Sequence, residues 1–494
     1  MAMLAYAPAY IVPLLANLIS IYALTRILPP EQYGTYAYLM GVMLLCEGGL
    51  FASVGMGTKR FFERAAGQNR IAAFCTTMLL MFAALTIALV VLCGAGIALL
   101  PVPADLQLLL WLSVAVIFAK QLSHICKMLE LVSLFRRRYV LMECADSILG
   151  VASGLYLCWY LRFGADGILY GMLIGSAVVI LFDANRVIGR LWGGRFDGRL
   201  LREIAQFALP ISITFFIEYL AATADRFMIQ FLIGVDLLGI YAVGYGIADR
   251  AVGAVFLALA VGFYPMVVRA LERHGREAAR REAAGTIEIL VAVVIPAFGG
   301  FVIASRHIAA VLVGPAYAPG AAALMPLSAL AVLLFALRCH YYAYALHLSN
   351  RTWSLLTSSA PAVVVNLGLN AALLPSIGLI GAVWAKVIAY GLALTISVWQ
   401  ARRWFPLPFP MKVAVKAIVA TVIMCTGLSV SRFPENFMGL VTMVSEGGAI
   451  YLLLAICLNI AGLRGRLALL WDRYRGAPNG LLNRPAHEVH PIVD

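Results

Sequence analysis

The stretch RILPPEQYGTYAYLMG, residues 26–41, recurs in a weaker form 205 positions later, where LGIYA (238–242) corresponds to YGTYA (33–37). Further identities follow in the same order, at a shift of 205 for Gly41/Gly246, Gly57/Gly262 and Arg64/Arg269, and at a shift of 214 for Arg137/Arg351, Leu141/Leu355 and Gly167/Gly381. Because these matches keep their order along the chain, we interpret them as an internal duplication. Duplicated membrane domains are typical of transporters, which move one repeat against the other around a shared site.

The composition excludes a soluble protein. Of the 494 residues, 63% are hydrophobic and only 12% are charged, and the mean hydropathy is +0.92. A soluble domain has about 25% charged residues. Because a helix satisfies its own backbone hydrogen bonds in lipid, each crossing needs about 20 mostly apolar residues. The sequence therefore predicts an all-α polytopic membrane protein.

The first apolar stretch and the cysteines exclude two other interpretations. Residues 1–25 have no basic segment at their start and no small-residue cleavage site before Arg26, so we expect a retained helix and not a cleaved signal. None of the nine cysteines forms a Cys-x-x-Cys pair. The cysteines therefore predict small buried side chains, with neither a metal site nor a disulfide framework.

About fourteen transmembrane helices are predicted from the apolar runs and the Pro, Gly and charge clusters between them. The candidate spans are 5–25, 35–56, 72–100, 106–130, 139–161, 165–187, 204–233, 237–264, 286–313, 320–347, 353–375, 378–400, 411–431 and 438–462. Both repeat shifts connect spans six apart, which keeps their orientation, so the two six-helix repeats are parallel. The predicted units are 1–188 and 203–402, a linker 189–202, two added helices in 403–462 and a tail 463–494.

Basic residues are distributed very unevenly between the two sets of loops. With a cytoplasmic N-terminus, 27 Lys and Arg residues lie in inner loops and the tail, and five, namely Arg26, Arg162, Arg226, Arg306 and Arg432, lie outside. Cytoplasmic loops are enriched in Lys and Arg, so both termini are predicted to be cytoplasmic. The same asymmetry accounts for the net charge of +13, because these loops lie beside an anionic leaflet. Nucleic acid is therefore not an expected partner.

The run from Arg26 to Tyr36, RILPPEQYGTY, resembles the R-x-L-x-P-E-x-Y/F-G-x-Y signature of polysaccharide-repeat-unit flippases. Residues 225–241 resemble the start of the second repeat in the same family. This family belongs to the superfamily of multidrug-and-toxin extruders and lipid II flippases, and the resemblance covers residues 1 to about 462. One departure is the near absence of basic residues before the first helix.

The resemblance implies a V-shaped pair of six-helix bundles with two additional C-terminal helices. It also implies a function, the movement of an undecaprenyl-pyrophosphate-linked oligosaccharide from the inner to the outer leaflet of a bacterial cytoplasmic membrane. The expected partners are this lipid-linked oligosaccharide, membrane lipids, a polysaccharide polymerase and a chain-length regulator. No cofactor and no metal are expected.

The fourth span has three basic or titratable residues on one helical face. Lys120, His124 and Lys127 are spaced i, i+4, i+7. The shift of 214 maps His124 onto Arg338, which Tyr341 and Tyr342 follow closely. Cationic groups from two repeats suit a pyrophosphate, and tyrosines suit stacking on sugars, so these six residues are candidate substrate contacts. The alternative for Lys127 is snorkelling toward the inner interface.

Other intramembrane charges are functional candidates because ionisable groups are costly in lipid. Arg250 and Lys386 are further candidates for binding the pyrophosphate or glycan. Coupling or gating is the candidate role of Glu47, Glu218, Asp225, Arg226, Asp249 and Arg26. The alternative is structural: interhelical ion pairs near mid-depth, and caps of helix ends for Asp225, Arg226 and Arg26.

Two competing functions make different predictions. A multidrug or cation antiporter of the same superfamily should place acidic groups in its cavity, whereas the clearest stripe here is basic. A membrane-bound glycan polymerase or ligase is expected to have its catalytic groups in a sizeable outer loop, and every predicted outer loop is short. The sequence therefore favours a flippase over an antiporter and over an enzyme.

The predicted orientation can be tested directly. Reporter fusions or thiol labelling should place residues 269–284 in the cytoplasm and residues 313–320 outside, because of the asymmetry of the basic residues. The reverse result would contradict the whole topology.

Overall fold

The computed structural model describes residues 6–99, 101, 103–349 and 353–465, and every regular element in these ranges is a helix. Thirteen of the described segments are long and apolar enough to cross a membrane. The helices are α1 Ala7–Ile27, α2 Pro30–Gly67, α3 Ile71–Leu99, α4 Ala104–Val132, α5 Arg136–Trp159, α6 Ala165–Leu191, α7 Gly198–Leu232, α8 and α9 (the parts of Val235–Leu312 before and after Gly275), α10 Ala318–Leu348, α11 Trp353–Ile377, α12 Leu379–Trp404, α13 Met411–Val430 and α14 Phe437–Cys457. The predicted all-α membrane fold of about fourteen helices is confirmed. Residues 1–5, Arg351 and the tail beyond residue 465 lie outside the described residues.

Helix α2 extends further than the predicted span 35–56. Pro30 starts the helix, where a missing N–H costs no hydrogen bond. At the other end, Val54, Phe62 and Ala65 are buried at helical spacing, so the helix continues to Gly67. Lys59, which the sequence assigned to an inner loop, therefore lies on a helix.

Two helices contain a single π-helical turn. In α2 the turn is Glu47–Phe51, and in α10 it is Arg338–Tyr342. Such turns occur frequently at functional sites because the added residue reorients neighbouring side chains. Both turns contain residues that the sequence selected as candidates.

Helices that are close in the chain pack together in two groups. In the first group, α5 packs against α1 and α6, α4 packs against α6, and α2 and α3 pack against both α4 and α6. In the second group, α11 packs against α7 and α12, and α10 packs against α12 and the Val235–Leu312 helices. Helix α13 packs against α14 and, through Thr421 and Gly299, against α9. The division into units 1–188 and 203–402 stays a prediction, for which these contacts provide a structural basis.

The two groups meet where the first turns of α2 and α8 touch backbone to backbone. A Cβ added to Gly34 would lie 1.8 Å from the Val235 carbonyl oxygen, and one added to Gly239 would lie 2.1 Å from the Pro30 carbonyl oxygen. The repeat shift of 205 maps Gly34 onto Gly239 and Pro30 onto Val235. The contact is therefore reciprocal, as expected for a pseudo-two-fold axis between α2 and α8.

Helix α1 strengthens the connection at the same end of the molecule. The Arg26 guanidinium donates hydrogen bonds to the carbonyl oxygens of Val311 at 3.1 Å and Leu312 at 3.4 Å, which caps α9. Tyr317 donates its hydroxyl hydrogen to the Leu28 carbonyl oxygen at 2.8 Å. We call this end of the helices the reciprocal-contact end.

The other end, which includes Arg64 and Arg70, we call the basic end. Here the second half of α2, Ala52–Gly67, packs against α7, whereas the first half packs against both α7 and the Val235–Leu312 helices. Arg64 forms an ion pair with Glu203 at 2.7 Å, and Arg70 forms one with Asp197 at 2.6 Å. Helix α2 therefore contacts α7 along its whole length, and it leaves α8 toward the basic end.

The reciprocal contact predicts the effect of adding one methyl group. Gly34→Ala and Gly239→Ala should each lower the melting temperature of the purified protein, because backbone atoms cannot move aside as side chains do. The double variant should cost less than the sum, since both changes disrupt one contact. Gly96→Ala is the control, because nothing lies within 4 Å of its added Cβ. Alanine is favoured over glycine in a helix by roughly 0.5–1 kcal/mol, so an unchanged or higher melting temperature for Gly34→Ala would contradict the contact.

Candidate functional site

A cavity with a volume of about 190 Å³ lies between α2, α4 and α7. Seven lining residues come from one face of α2, two from α4 and two from α7. They are Glu47, Gly48, Phe51, Ala52, Gly55, Met56, Lys59, Gln121, His124, Phe215 and Tyr219.

The small residues of α2 create this space. A Cβ on Gly48 would lie 2.0 Å from the ring of Tyr219, so the glycine allows α7 to approach. A Cβ on Gly55 would lie 3.5 Å from Nε2 of His124, so this glycine leaves the imidazole room at the wall. The cavity therefore depends on glycine, which has no side chain, at these two positions of α2.

Two oppositely charged residues line the cavity at different positions along α2. Glu47 and Lys59 are both exposed, and neither forms an ion pair with any described residue. At 1.5 Å per residue, their backbone positions are about 18 Å apart along the helix. The wall is thus acidic near the middle of α2 and basic toward the basic end.

The predicted face of α4 is divided between two environments. His124 lines the cavity. Lys127 is 6% exposed and forms ion pairs with Asp146 at 2.8 Å and Glu143 at 3.0 Å, so its ammonium group is directed to α5 and not to lipid headgroups. Lys120 is half-buried, and its charge acts on Asp146. Of the three residues, only His124 contacts the cavity.

Arg338 is buried in a network that joins α10, α7 and α11. Its guanidinium binds both carboxylate oxygens of Glu218, at 2.6 and 3.0 Å, and the hydroxyl oxygen of Ser359 at 2.5 Å. Two parallel hydrogen bonds to one carboxylate are the strong bidentate geometry of arginine. Tyr341 and Tyr342 are also buried, and the Tyr341 hydroxyl donates to the Pro408 carbonyl oxygen. The predicted joint contact of Lys120 and Arg338 with a headgroup stays a prediction, and Arg338 already has a carboxylate partner.

Lys386 and Asp225 form a second buried ion pair. The distance from Lys386 Nζ to Asp225 Oδ2 is 2.8 Å, and the two side chains are 1% and 0% exposed. The Tyr241 hydroxyl donates to the same carboxylate oxygen, and Lys386 Nζ lies 4.0 Å from the ring centroid of Tyr245. The pair connects α12 to α7 and is covered by α8.

The remaining candidates lie on α7 and α8. Asp249 is exposed, and the charges that act on it are those of Arg250, Lys386 and Arg226. Arg250 donates to the Gly246 carbonyl oxygen of its own helix at 3.0 Å. Arg226 reaches the Ala37 carbonyl oxygen on α2 at 3.5 Å. Arg226 therefore links the two groups of helices through α2.

Sequence reasoning missed Lys59, Gln121, Phe215 and Tyr219. Lys59 was assigned to a loop because the apolar run ends before it. The buried positions Val54, Phe62 and Ala65 show the signal that could have extended the helix. Nothing in the sequence alone indicates that α7 faces α2 at Gly48.

Comparisons with known proteins show the family and the fold of the chain. Residues 23–322 match the family described as "Polysaccharide biosynthesis protein". No curated protein matches the chain by sequence. A solved structure of the lipid II flippase MurJ in an inward closed conformation is 14% identical, with a TM-score of 0.73 over 92% of this chain and 98% of that chain. An inward-facing multidrug resistance MATE family transporter of the MOP superfamily is also 14% identical, with a TM-score of 0.67 over 82% and 98%.

The buried pair Lys386–Asp225 predicts how stability changes when one or both of its charges are removed. Lys386→Met should lower stability by about 3–5 kcal/mol, because it leaves a buried carboxylate without its cation. Adding Asp225→Asn should recover most of the loss, since the second change removes the unpaired charge. Melting temperatures of the purified variants test this, with Arg403→Ala as an exposed control. A single variant as stable as the parent would contradict a structural role for the pair.

Proposed function

We propose, since the chain belongs to the family of polysaccharide biosynthesis proteins, that it is a flippase for a lipid-linked oligosaccharide. It moves an undecaprenyl-pyrophosphate-linked repeat unit from the inner to the outer leaflet of the bacterial cytoplasmic membrane. The repeat unit serves the synthesis of an exopolysaccharide, a capsule or an O-antigen. The likeness of the fold to a lipid II flippase supports this class of substrate.

The observation that carries the proposal is a cavity with charged and polar groups in its wall, combined with a closed far end. The cavity between α2, α4 and α7 includes Lys59 toward the basic end. At the reciprocal-contact end, Gly34 and Gly239 hold the two groups of helices together. A polar headgroup in lipid needs such a polar path, because its own hydration is lost on entry.

Alternating access then requires the two ends to open in turn, which breaks the ion pair of Arg64 with Glu203 at the basic end and the contact of Gly34 with Val235 at the other end. The basic end is cytoplasmic by the asymmetry of Lys and Arg, so both termini are cytoplasmic and the cavity receives substrate from the inner leaflet. Transport requires that α2 and α8 separate at Gly34 and Gly239 while the basic end closes. The units 1–188 and 203–402 are the bodies that rock.

The product is delivered to the outer leaflet, where a polysaccharide polymerase and a chain-length regulator would use it. The family and the fold are those of transporters, and the proposal needs no cofactor and no nucleic acid. Membrane lipids surround α13 and α14, whose exposed residues include Ile418, Val422 and Leu453.

One observation favours a second function. Glu47 places a free carboxylate in the cavity, which suits a cationic drug, and the fold is also like that of multidrug transporters. Lys59 lines the same cavity and disfavours a cation there, and His124 offers a hydrogen-bond donor to an anion. The flippase accounts for all three residues, and the antiporter accounts only for Glu47.

Deletion of the gene separates these functions. Loss of the flippase should abolish the surface polysaccharide and cause lipid-linked repeat units to accumulate in the inner leaflet, where they are protected from enzymes added outside spheroplasts. The full-length chain, supplied on a plasmid, should restore export.

Other outcomes would identify another function. Repeat units that accumulate in the outer leaflet would indicate a defect in polymerisation and would overturn the proposal. Unchanged polysaccharide with greater sensitivity to cationic drugs would support the antiporter instead.

A further inference from the structure

The cavity residues have a definite order along α2. Lys59 lies nearest the basic end, and Gly55, one turn away, faces His124 on α4. Gly48, a further seven residues along, faces Tyr219 on α7. Glu47 precedes Gly48 and acts electrostatically on Tyr219. The cavity therefore has a cationic end with an imidazole and an acidic end with an aromatic ring.

The groups at the cationic end are available to a ligand. Lys59 is exposed and has no ion pair with a described residue, whereas Lys127 nearby is held by Asp146 and Glu143. No hydrogen bond joins the His124 ring to a described residue, and its nitrogens are not among the buried atoms that lack partners. Both side chains are thus open to the cavity.

The acidic end has the chemistry of a carbohydrate site. A carboxylate, such as that of Glu47, accepts hydrogen bonds from sugar hydroxyls. The amide of Gln121, which is 7% exposed, offers donors and an acceptor in fixed positions. Phe215 and Tyr219 present aromatic surface on which an apolar sugar face can pack.

We infer that the cavity binds its substrate in one orientation, with the pyrophosphate at Lys59 and His124 and the first sugars at Glu47, Gln121 and Tyr219. This inference rests on the proposed function. The lipid chain must stay in the hydrocarbon, which holds the pyrophosphate near the interface at the basic end. The sugars then extend toward the reciprocal-contact end, where the polar groups of the cavity replace part of their hydration. Lys59 attracts the pyrophosphate as a point charge, and His124 donates a hydrogen bond.

The first test measures binding of undecaprenyl pyrophosphate without sugars to the purified full-length protein. Lys59→Ala should weaken this binding on the order of tenfold, because a phosphate contact is lost, and Lys59→Arg should retain it. Glu47→Gln should leave it unchanged, because no sugar is present. The matched control is Arg60→Ala: Arg60 is also exposed and basic, but its guanidinium lies over the ring of Phe207, 5.4 Å from the centroid, and does not line the cavity.

The second test measures polysaccharide export in the deletion strain. Both Lys59→Ala and Glu47→Gln should reduce export, with melting temperatures equal to that of the parent protein. Only Glu47→Gln should do so without any effect on the binding of undecaprenyl pyrophosphate. This difference separates the two ends of the cavity, which a general loss of folding would not do.

Several results would overturn the orientation. Equal weakening by Lys59→Ala and Arg60→Ala would show that only the general positive charge of the basic end matters. Weaker pyrophosphate binding in Glu47→Gln, or no binding by the parent protein, would exclude the assignment of the ends. If deletion stops export and Lys59→Ala restores it fully, the flippase stands and the orientation fails. If deletion leaves export intact, the proposed function itself fails.

Discussion

The arrangement of the helices depends on a direct contact between the backbones of α2 and α8 in their first turns. Gly34 and Gly239 leave no room for even one methyl group between α2 and α8, and Thr25 binds the Gly314 N–H beside them at 2.9 Å. Such a contact depends on shape, because it consists of backbone atoms and small residues packed without lipid between them. A contact of this kind can separate without leaving charges unpaired. It therefore suits the opening and closing that the proposed alternating access requires.

The charged residues within the helices serve two different purposes. Lys127, Arg338 and Lys386 each have a carboxylate partner from a neighbouring helix and are buried. Such pairs hold helices in register, and they are costly to break because the remaining charge is desolvated. Glu47 and Lys59 instead face the cavity, and neither forms an ion pair with a residue that the structure describes. Exposure and pairing, more than the presence of a charge in a span, distinguish the candidate binding groups from the paired groups.

Each of the two π-helical turns in the described residues begins at a charged residue of one of these two kinds. In α2 the turn begins at Glu47, which faces the cavity, and in α10 it begins at Arg338, which is paired with Glu218. A π-helical turn shifts the register of one helix face by a single residue. The same kind of turn thus contains one charge that is exposed to the cavity and another that is buried. Neither turn shows a proline or a composition that would have indicated it in advance.

The sequence by itself determined the class, the number of helices and the repeat. Hydropathy is a local property, because about 20 apolar residues must cross the bilayer whatever their neighbours are. The internal repeat also indicated that Gly34 and Gly239 are equivalent positions, since the shift of 205 pairs them. The environment of each charge was decided only by the tertiary structure. Arg338 is paired with a glutamate 120 positions away, and the cavity beside Lys59 forms only where α4 and α7 meet α2. The periodicity of a sequence does not reveal contacts between distant parts of the chain, because it shows only the face of a helix on which a residue lies.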